Sequence, residues 1–85
     1  MKIAVVGLGY VGLPLSLQFA RAGVEVLGLD VDRAKVEACN AGRSYIKHIE
    51  AADIAADVKA GTFSASDDFS RVRESEAVII CVPTP

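Results

Sequence analysis

Lys2-Ile3-Ala4-Val5-Val6-Gly7-Leu8-Gly9-Tyr10-Val11-Gly12-Leu13-Pro14 opens the chain, and the architecture builds outward from it. Lys2–Val6 reads as a short strand, apolar on both faces, as a central parallel strand should be. It runs straight into a Gly-x-Gly-x-x-Gly turn, Gly7 to Gly12. A helix follows to about Ala22, with Leu13, Leu17 and Ala20 on one helical spacing and Leu15, Phe19 and Ala22 on another. Pro14 is compatible only with a first turn, where no intrahelical N–H partner is lost, so the helix begins within the glycine motif. Gly23 suits the left-handed position that ends helices.

The same alternation continues along the chain. Val24–Asp30 is a second strand, Asp32 is a natural N-cap for a helix through about Asn40, and Gly42 closes it. Residues 43–49 form a connector. A third helix is predicted over Ala51–Ala60, with Ile54 and Val58 facing inward and Gly61 as terminator. Thr62–Ala65 is a weak strand, and Ser66–Asp68 caps a short helix through about Glu74. Glu76–Val82 closes with the most apolar strand of the chain. Strands alternating with helices imply crossovers of one hand and a parallel sheet. The expected spatial order is third, second, first, fourth. The fold class is therefore α/β, a Rossmann-like parallel sheet with flanking helices.

Composition sets the limits. Eighty-five residues make one small domain, and 52% hydrophobic against 24% charged is more core-forming sequence than so short a chain easily covers. The chain stops after Pro83-Thr84-Pro85 at a strand's carboxyl end, which would leave an apolar edge uncovered. Both features predict the front half of a larger dinucleotide-binding domain. The formal charge is −2 with no basic run, which points away from nucleic acid and membrane surfaces as partners. No continuous apolar stretch of about 18 residues is present to span a bilayer, and glycines and Pro14 interrupt the N-terminal apolar run, unlike a signal peptide. Cys39 and Cys81 lack metal-type spacing and read as two buried thiols of a reducing cytosol, so no metal site is expected.

A lone Gly-x-Gly-x-x-Gly is weak evidence. Here it follows a strand, opens a helix and precedes a second strand ending in an acid, Asp30, which lies 18 positions past Gly12 against roughly 20 in dinucleotide sites. Gly7 allows the tight turn, Gly9 lets the backbone approach a pyrophosphate, and Gly12 lets the helix pack close to the sheet. The N–H groups near Tyr10 and Val11 and the positive end of the helix dipole then meet the phosphates. Asp30 can accept hydrogen bonds from both ribose hydroxyls of the adenosine and would repel a 2′-phosphate, which favours NAD over NADP. Arg33 reads as a solvated first-turn residue, and the pattern by itself does not exclude a flavin. Thr84 sits at the ligand edge of the sheet between two prolines that halt it. His48, the sole histidine, falls in a loop outside the cleft, and Tyr45 reads as a packing residue.

Together these residues resemble the N-terminus of the UDP-glucose/GDP-mannose dehydrogenase family. The resemblance rests on the opening segment through Pro14, on Asp30-Val31-Asp32 with Lys35-Val36, and on Cys81-Val82-Pro83-Thr84-Pro85. Ser44-Tyr45-Ile46-Lys47-His48-Ile49 looks more like the UDP-N-acetylglucosamine 6-dehydrogenase branch than the UDP-glucose branch, which usually carries a Glu-Pro-Gly-type segment near here. The resemblance implies two Rossmann-like domains joined by a long helix, homodimers formed through that helix, and a cytoplasmic enzyme of polysaccharide biosynthesis. It implies oxidation of a UDP-sugar C6 alcohol to a carboxylate with two NAD. It assigns Asp30 and Lys35 to the adenosine ribose, the Tyr10–Val11 backbone to the pyrophosphate and Thr84 to the nicotinamide side. No catalytic residue falls within this chain, and Cys81 is not the family's nucleophile. Two other readings stay open on the residues alone: a related hydroxy-acid dehydrogenase and a non-catalytic nucleotide-sensing module.

Overall fold

The computed structural model describes residues 1–81. β1 (Lys2–Val6) lies inside a four-stranded parallel sheet of order β3-β2-β1-β4, with β2 at Glu25–Leu29, β3 at Phe63–Ser66 and β4 at Ala77–Ile80. This is the order expected from the sequence. α1 (Gly12–Arg21) joins β1 to β2, while α2 (Arg33–Asn40) and α3 (Ala51–Ala60) join β2 to β3. The segment between β3 and β4 is a 3₁₀ helix, Phe69–Glu74, capped by Asp68 through the Ser70 N–H. A six-residue turn of that kind covers less sheet than an α-helix would.

Register explains how the core divides. Ile3, Val26 and Phe63 lie abreast on one face, as do Val5, Gly28 and Ala65. Leu13, Leu17 and Ala20 of α1, Val36 and Cys39 of α2 and Ile54 of α3 pack onto this face and form the main core. Val58, expected inward, is only partly buried against it. The opposite face carries Ala4, Leu27 and Leu29, fully buried, with Val6 and Val72 beside them. On β4 that face continues as Val78 and Ile80, which remain 45% and 69% exposed. The most apolar strand in the sequence is thus the least buried one. Among the described residues β1 is its only partner, and the 3₁₀ helix packs over that face through Val72.

The caps follow the expected chemistry. Asp32 accepts from the Ala34 N–H and starts α2, and Gly61, at φ +81°, ends α3. Asn40, the last residue of α2, donates to the Ala65 carbonyl and accepts from the Ala65 N–H, both at 2.9 Å. Its amide thereby serves as a neighbouring strand for the outer edge of β3. No described helix is long and apolar enough to cross a membrane.

Lys2 meets Glu74 at 2.9 Å and Glu25 at 3.2 Å, and Arg71 also reaches Glu74. The hydrogen bonds from Arg71 and Lys2 pull the Glu74 carboxyl down to about 2. A carboxyl depressed by folding contributes stability above its unfolded value and loses it as pH falls toward its folded one. Thermal melts of the chain are therefore expected to fall between pH about 4.5 and about 2. Glu74→Gln should flatten that fall, and an unchanged pH slope in the variant would show that this cluster contributes nothing.

Candidate functional site

The glycine turn sits at the carboxyl ends of β1, β2 and β4, above a cleft of about 650 Å³ lined by Gly7, Gly9, Tyr10, Val11, Asp30, Lys35 and Cys81 among others. That volume is within the range of small-ligand sites, roughly 300–1,000 Å³. The position, at the edge where the order reverses from β1 toward β2 on one side and β4 on the other, is where open α/β sheets bind ligands.

The turn is held from several directions. Gly7 has φ +100°, a conformation that side chains disfavour, and its N–H donates to the Leu29 carbonyl at 2.7 Å. The Leu8 N–H donates to Asp30 Oδ2 at 2.8 Å, and Asp30 Oδ1 accepts from the Asp32 N–H at 2.8 Å. Asp30 is thus a brace between the turn and the start of α2, as well as an acid facing the cleft. At Gly12 an added Cβ would lie 1.6 Å from the Gly7 carbonyl oxygen and 3.3 Å from the Cys81 Cβ. That is the close approach foreseen for this glycine, although the nearest obstacle is the turn rather than the strand.

Gly9 differs. An added Cβ there would meet nothing within 4 Å, so no protein atom demands glycine at this position. A ligand pressed against the backbone would. Among the described residues, the N–H groups of Gly9, Tyr10 and Val11 donate to no protein acceptor. Val11 is the N-cap of α1 and supplies no side-chain cap. Unpaired donors at the positive end of a helix make an anion site, and they fit the diphosphate of a dinucleotide.

A smaller hollow of about 310 Å³ adjoins the first, lined by Gly9, Tyr10, Asp32, Ala34, Lys35, Tyr45 and Ile46. Lys35 borders both spaces, with its ammonium 6.0 Å from the centre of the Tyr45 ring. Arg33 instead turns to Asp67 at 3.0 Å and Glu37 at 3.3 Å, which leaves its charge compensated away from the cleft.

Seven of the expected cofactor residues therefore come together: Gly7, Gly9, Tyr10, Val11, Gly12, Asp30 and Lys35. Thr84, together with Val82, Pro83 and Pro85, lies outside the described residues. His48 is exposed and lines neither space. Two expectations need correction. Cys81 is half-buried at the cleft wall rather than enclosed, because β4 ends at Ile80 and Cys81 follows it out, its N–H donating to the Val6 carbonyl at 2.7 Å. Tyr45 is more than packing, since its hydroxyl donates to the Leu8 carbonyl. Gly28 was also missed: a Cβ there would come within 2.6 Å of Leu8 Cδ2, so the turn's own leucine is a knob seated over β2.

The chain resembles known proteins over its whole length. Residues 1–85 match the family model for the NAD binding domain of the UDP-glucose/GDP-mannose dehydrogenase family. The UDP-N-acetyl-D-mannosamine dehydrogenase of Pyrococcus horikoshii is 36% identical over 86 residues, covering 100% of this chain and 21% of that protein. The UDP-N-acetyl-D-glucosamine 6-dehydrogenase of Pseudomonas aeruginosa is 32% identical over 85 residues, covering 100% and 19%. A crystal structure of a ternary complex of GDP-mannose dehydrogenase from Pseudomonas aeruginosa superposes with a TM-score of 0.94 at 34% identity, covering 100% of this chain and 20% of that one. The chain spans about a fifth of the length of these relatives.

Proposed function

Because the chain belongs to the UDP-glucose/GDP-mannose dehydrogenase family and matches its NAD binding domain, we propose that its cleft holds NAD by the glycine turn. The carrying observation is the set of unpaired N–H groups of Gly9, Tyr10 and Val11 opposite a carboxylate at the end of β2. In this reading the turn and the α1 N-terminus bind the diphosphate. Asp30 and Lys35 hold the adenosine ribose, and Thr84 serves the nicotinamide side. Each Asp30 oxygen that accepts a backbone N–H retains a further lone pair for a hydroxyl proton. The negative charge there disfavours a 2′-phosphate, and Arg33, tied to Asp67 and Glu37, does not offset it.

At the level of the whole protein we propose a cytoplasmic homodimer that oxidises the C6 alcohol of a UDP-sugar to a carboxylate. Two hydrides leave the carbon for two NAD, and water supplies the second oxygen. The catalytic groups and most sugar contacts belong outside these 85 residues. The cofactor chemistry is hydride acceptance, and the part played by this segment is to hold and orient the acceptor.

Calorimetric titration with NAD and NADP tests the reading. NAD is expected to bind and to exceed NADP in affinity. By mass action, NAD at 100 times its Kd should stabilise the folded chain by about 2.7 kcal/mol in melts. Equal affinity for NADP would remove Asp30 from the ribose, and no binding of either would remove the cleft from cofactor work.

A further inference from the structure

We infer that Tyr45 is a positioning residue for the diphosphate turn: its hydroxyl sets the direction of the Gly9 N–H by holding the carbonyl of the same peptide unit. The inference rests on the reading of the cleft as an NAD site and adds a residue to it. A peptide unit is planar, with its C=O and N–H pointing in opposite directions. The Leu8 carbonyl and the Gly9 N–H belong to one such unit. The bond from the Tyr45 hydroxyl to the Leu8 carbonyl therefore fixes which way the Gly9 N–H points. The preceding unit is fixed independently, through the Leu8 N–H on Asp30 at 2.8 Å. The following unit is fixed by its own carbonyl, since the Gly9 C=O accepts from the Leu13 N–H at 3.1 Å. Without Tyr45, the middle plane of the three is the one left without an anchor.

The direction of each hydrogen bond is determined. A carbonyl has no proton, so Tyr45 spends its single phenolic proton on Leu8. Cys39, with Sγ 3.4 Å from the Tyr45 oxygen, must then be the donor in that contact. Burial pushes both groups up from their ordinary values, which keeps the thiol and the phenol protonated and the chain from Cys39 to Tyr45 to Leu8 intact at neutral pH. Glycine at position 9 gives the reason for such an anchor. A residue so free in φ and ψ leaves the turn with several accessible shapes, and preorganised donors bind an anion better than donors that must first be ordered. Tyr45 reaches the turn from the connector after α2, 37 positions along the chain.

The test is Tyr45→Phe in the full-length protein, which keeps the ring beside Lys35 and removes only the hydroxyl. Affinities for ADP, NAD and adenosine are measured by titration, with apo melts alongside. The variant is expected to lose roughly 5- to 10-fold in affinity for ADP and NAD and to bind adenosine as the wild type does. A merely structural role would lower the melt and leave ADP affinity unchanged, which overturns the inference. An equal loss for adenosine and ADP also overturns it, because the effect would then lie in the smaller hollow beside Lys35 rather than in the turn. Failure of the wild-type protein to bind NAD or ADP would instead overturn the reading of the cleft itself, and the inference with it.

Discussion

Replacing Gly12 by alanine is expected to cost about 3 kcal/mol or more of folding stability and to abolish measurable NAD binding. The reason is a single contact. A Cβ at position 12 would stand 1.6 Å from the Gly7 carbonyl oxygen and 2.8 Å from its carbonyl carbon. Both are backbone atoms, so no side-chain rotation relieves the overlap. Either α1 moves away from the end of β1 or the Gly7 turn opens. The first loosens Leu13 and Leu17 from the main core, and the second disturbs the Gly7 and Leu8 hydrogen bonds that hold the turn. In both cases the donors of Gly9, Tyr10 and Val11 no longer converge. Gly9→Ala makes the matching comparison, since its Cβ meets no protein atom. It should fold much as the wild type does while binding NAD poorly. Denaturant unfolding with NAD titration separates the two outcomes. A Gly12→Ala protein with wild-type stability would show that α1 does not approach the turn this closely.

Asp30→Ala should weaken NAD binding by about 1–3 kcal/mol, roughly 5- to 150-fold, and narrow the preference over NADP. Two effects combine. The ribose loses its acceptor, and the N–H of buried Leu8 loses the carboxylate oxygen at 2.8 Å that held it. The Asp32 N–H, also bound to Asp30, lies in an exposed position and can turn to water. The loss of NADP affinity should be smaller, because removing the charge relieves repulsion of the 2′-phosphate while the turn is disturbed equally for both cofactors. Titration of both dinucleotides against wild type and variant measures the difference. Unchanged NAD affinity would take Asp30 out of the site.

The order of elements and the arrangement of the sheet were legible in the sequence because they rest on local signals. Glycines fall where chains must turn, Asp32 and Asp68 each cap the helix that starts beside them, and runs of apolar residues mark strands. The candidate cofactor turn stood out in the sequence for the same reason: its glycines, the adjoining helix and Asp30 lie within one β-α-β unit. The roles that escaped depend on contacts between distant positions. Nothing near Tyr45 announces that its hydroxyl ends on Leu8. Gly28 looks like a weakness in a strand until Leu8 is seen to occupy the space beside it. The exposure of Val78 and Ile80 could not be read from their hydropathy, because burial depends on the segments that lie above a strand. Cys81 shows the same limit, being apolar by type yet placed by the strand's end in the wall of the cleft.

Whether the glycine turn receives the diphosphate of NAD is decided by mapping backbone amide resonances during titration with NAD. The largest shifts are expected at Gly9, Tyr10, Val11 and Gly12, where N–H donors gain an anionic partner, with a second group at Asp30 to Lys35. α3, which lines neither the cleft nor the adjoining hollow, should be nearly silent. NADP should reproduce the pattern only at higher concentration. Saturable binding of NAD that left the Gly9–Gly12 amides unmoved and shifted other residues instead would place the diphosphate away from the glycine turn.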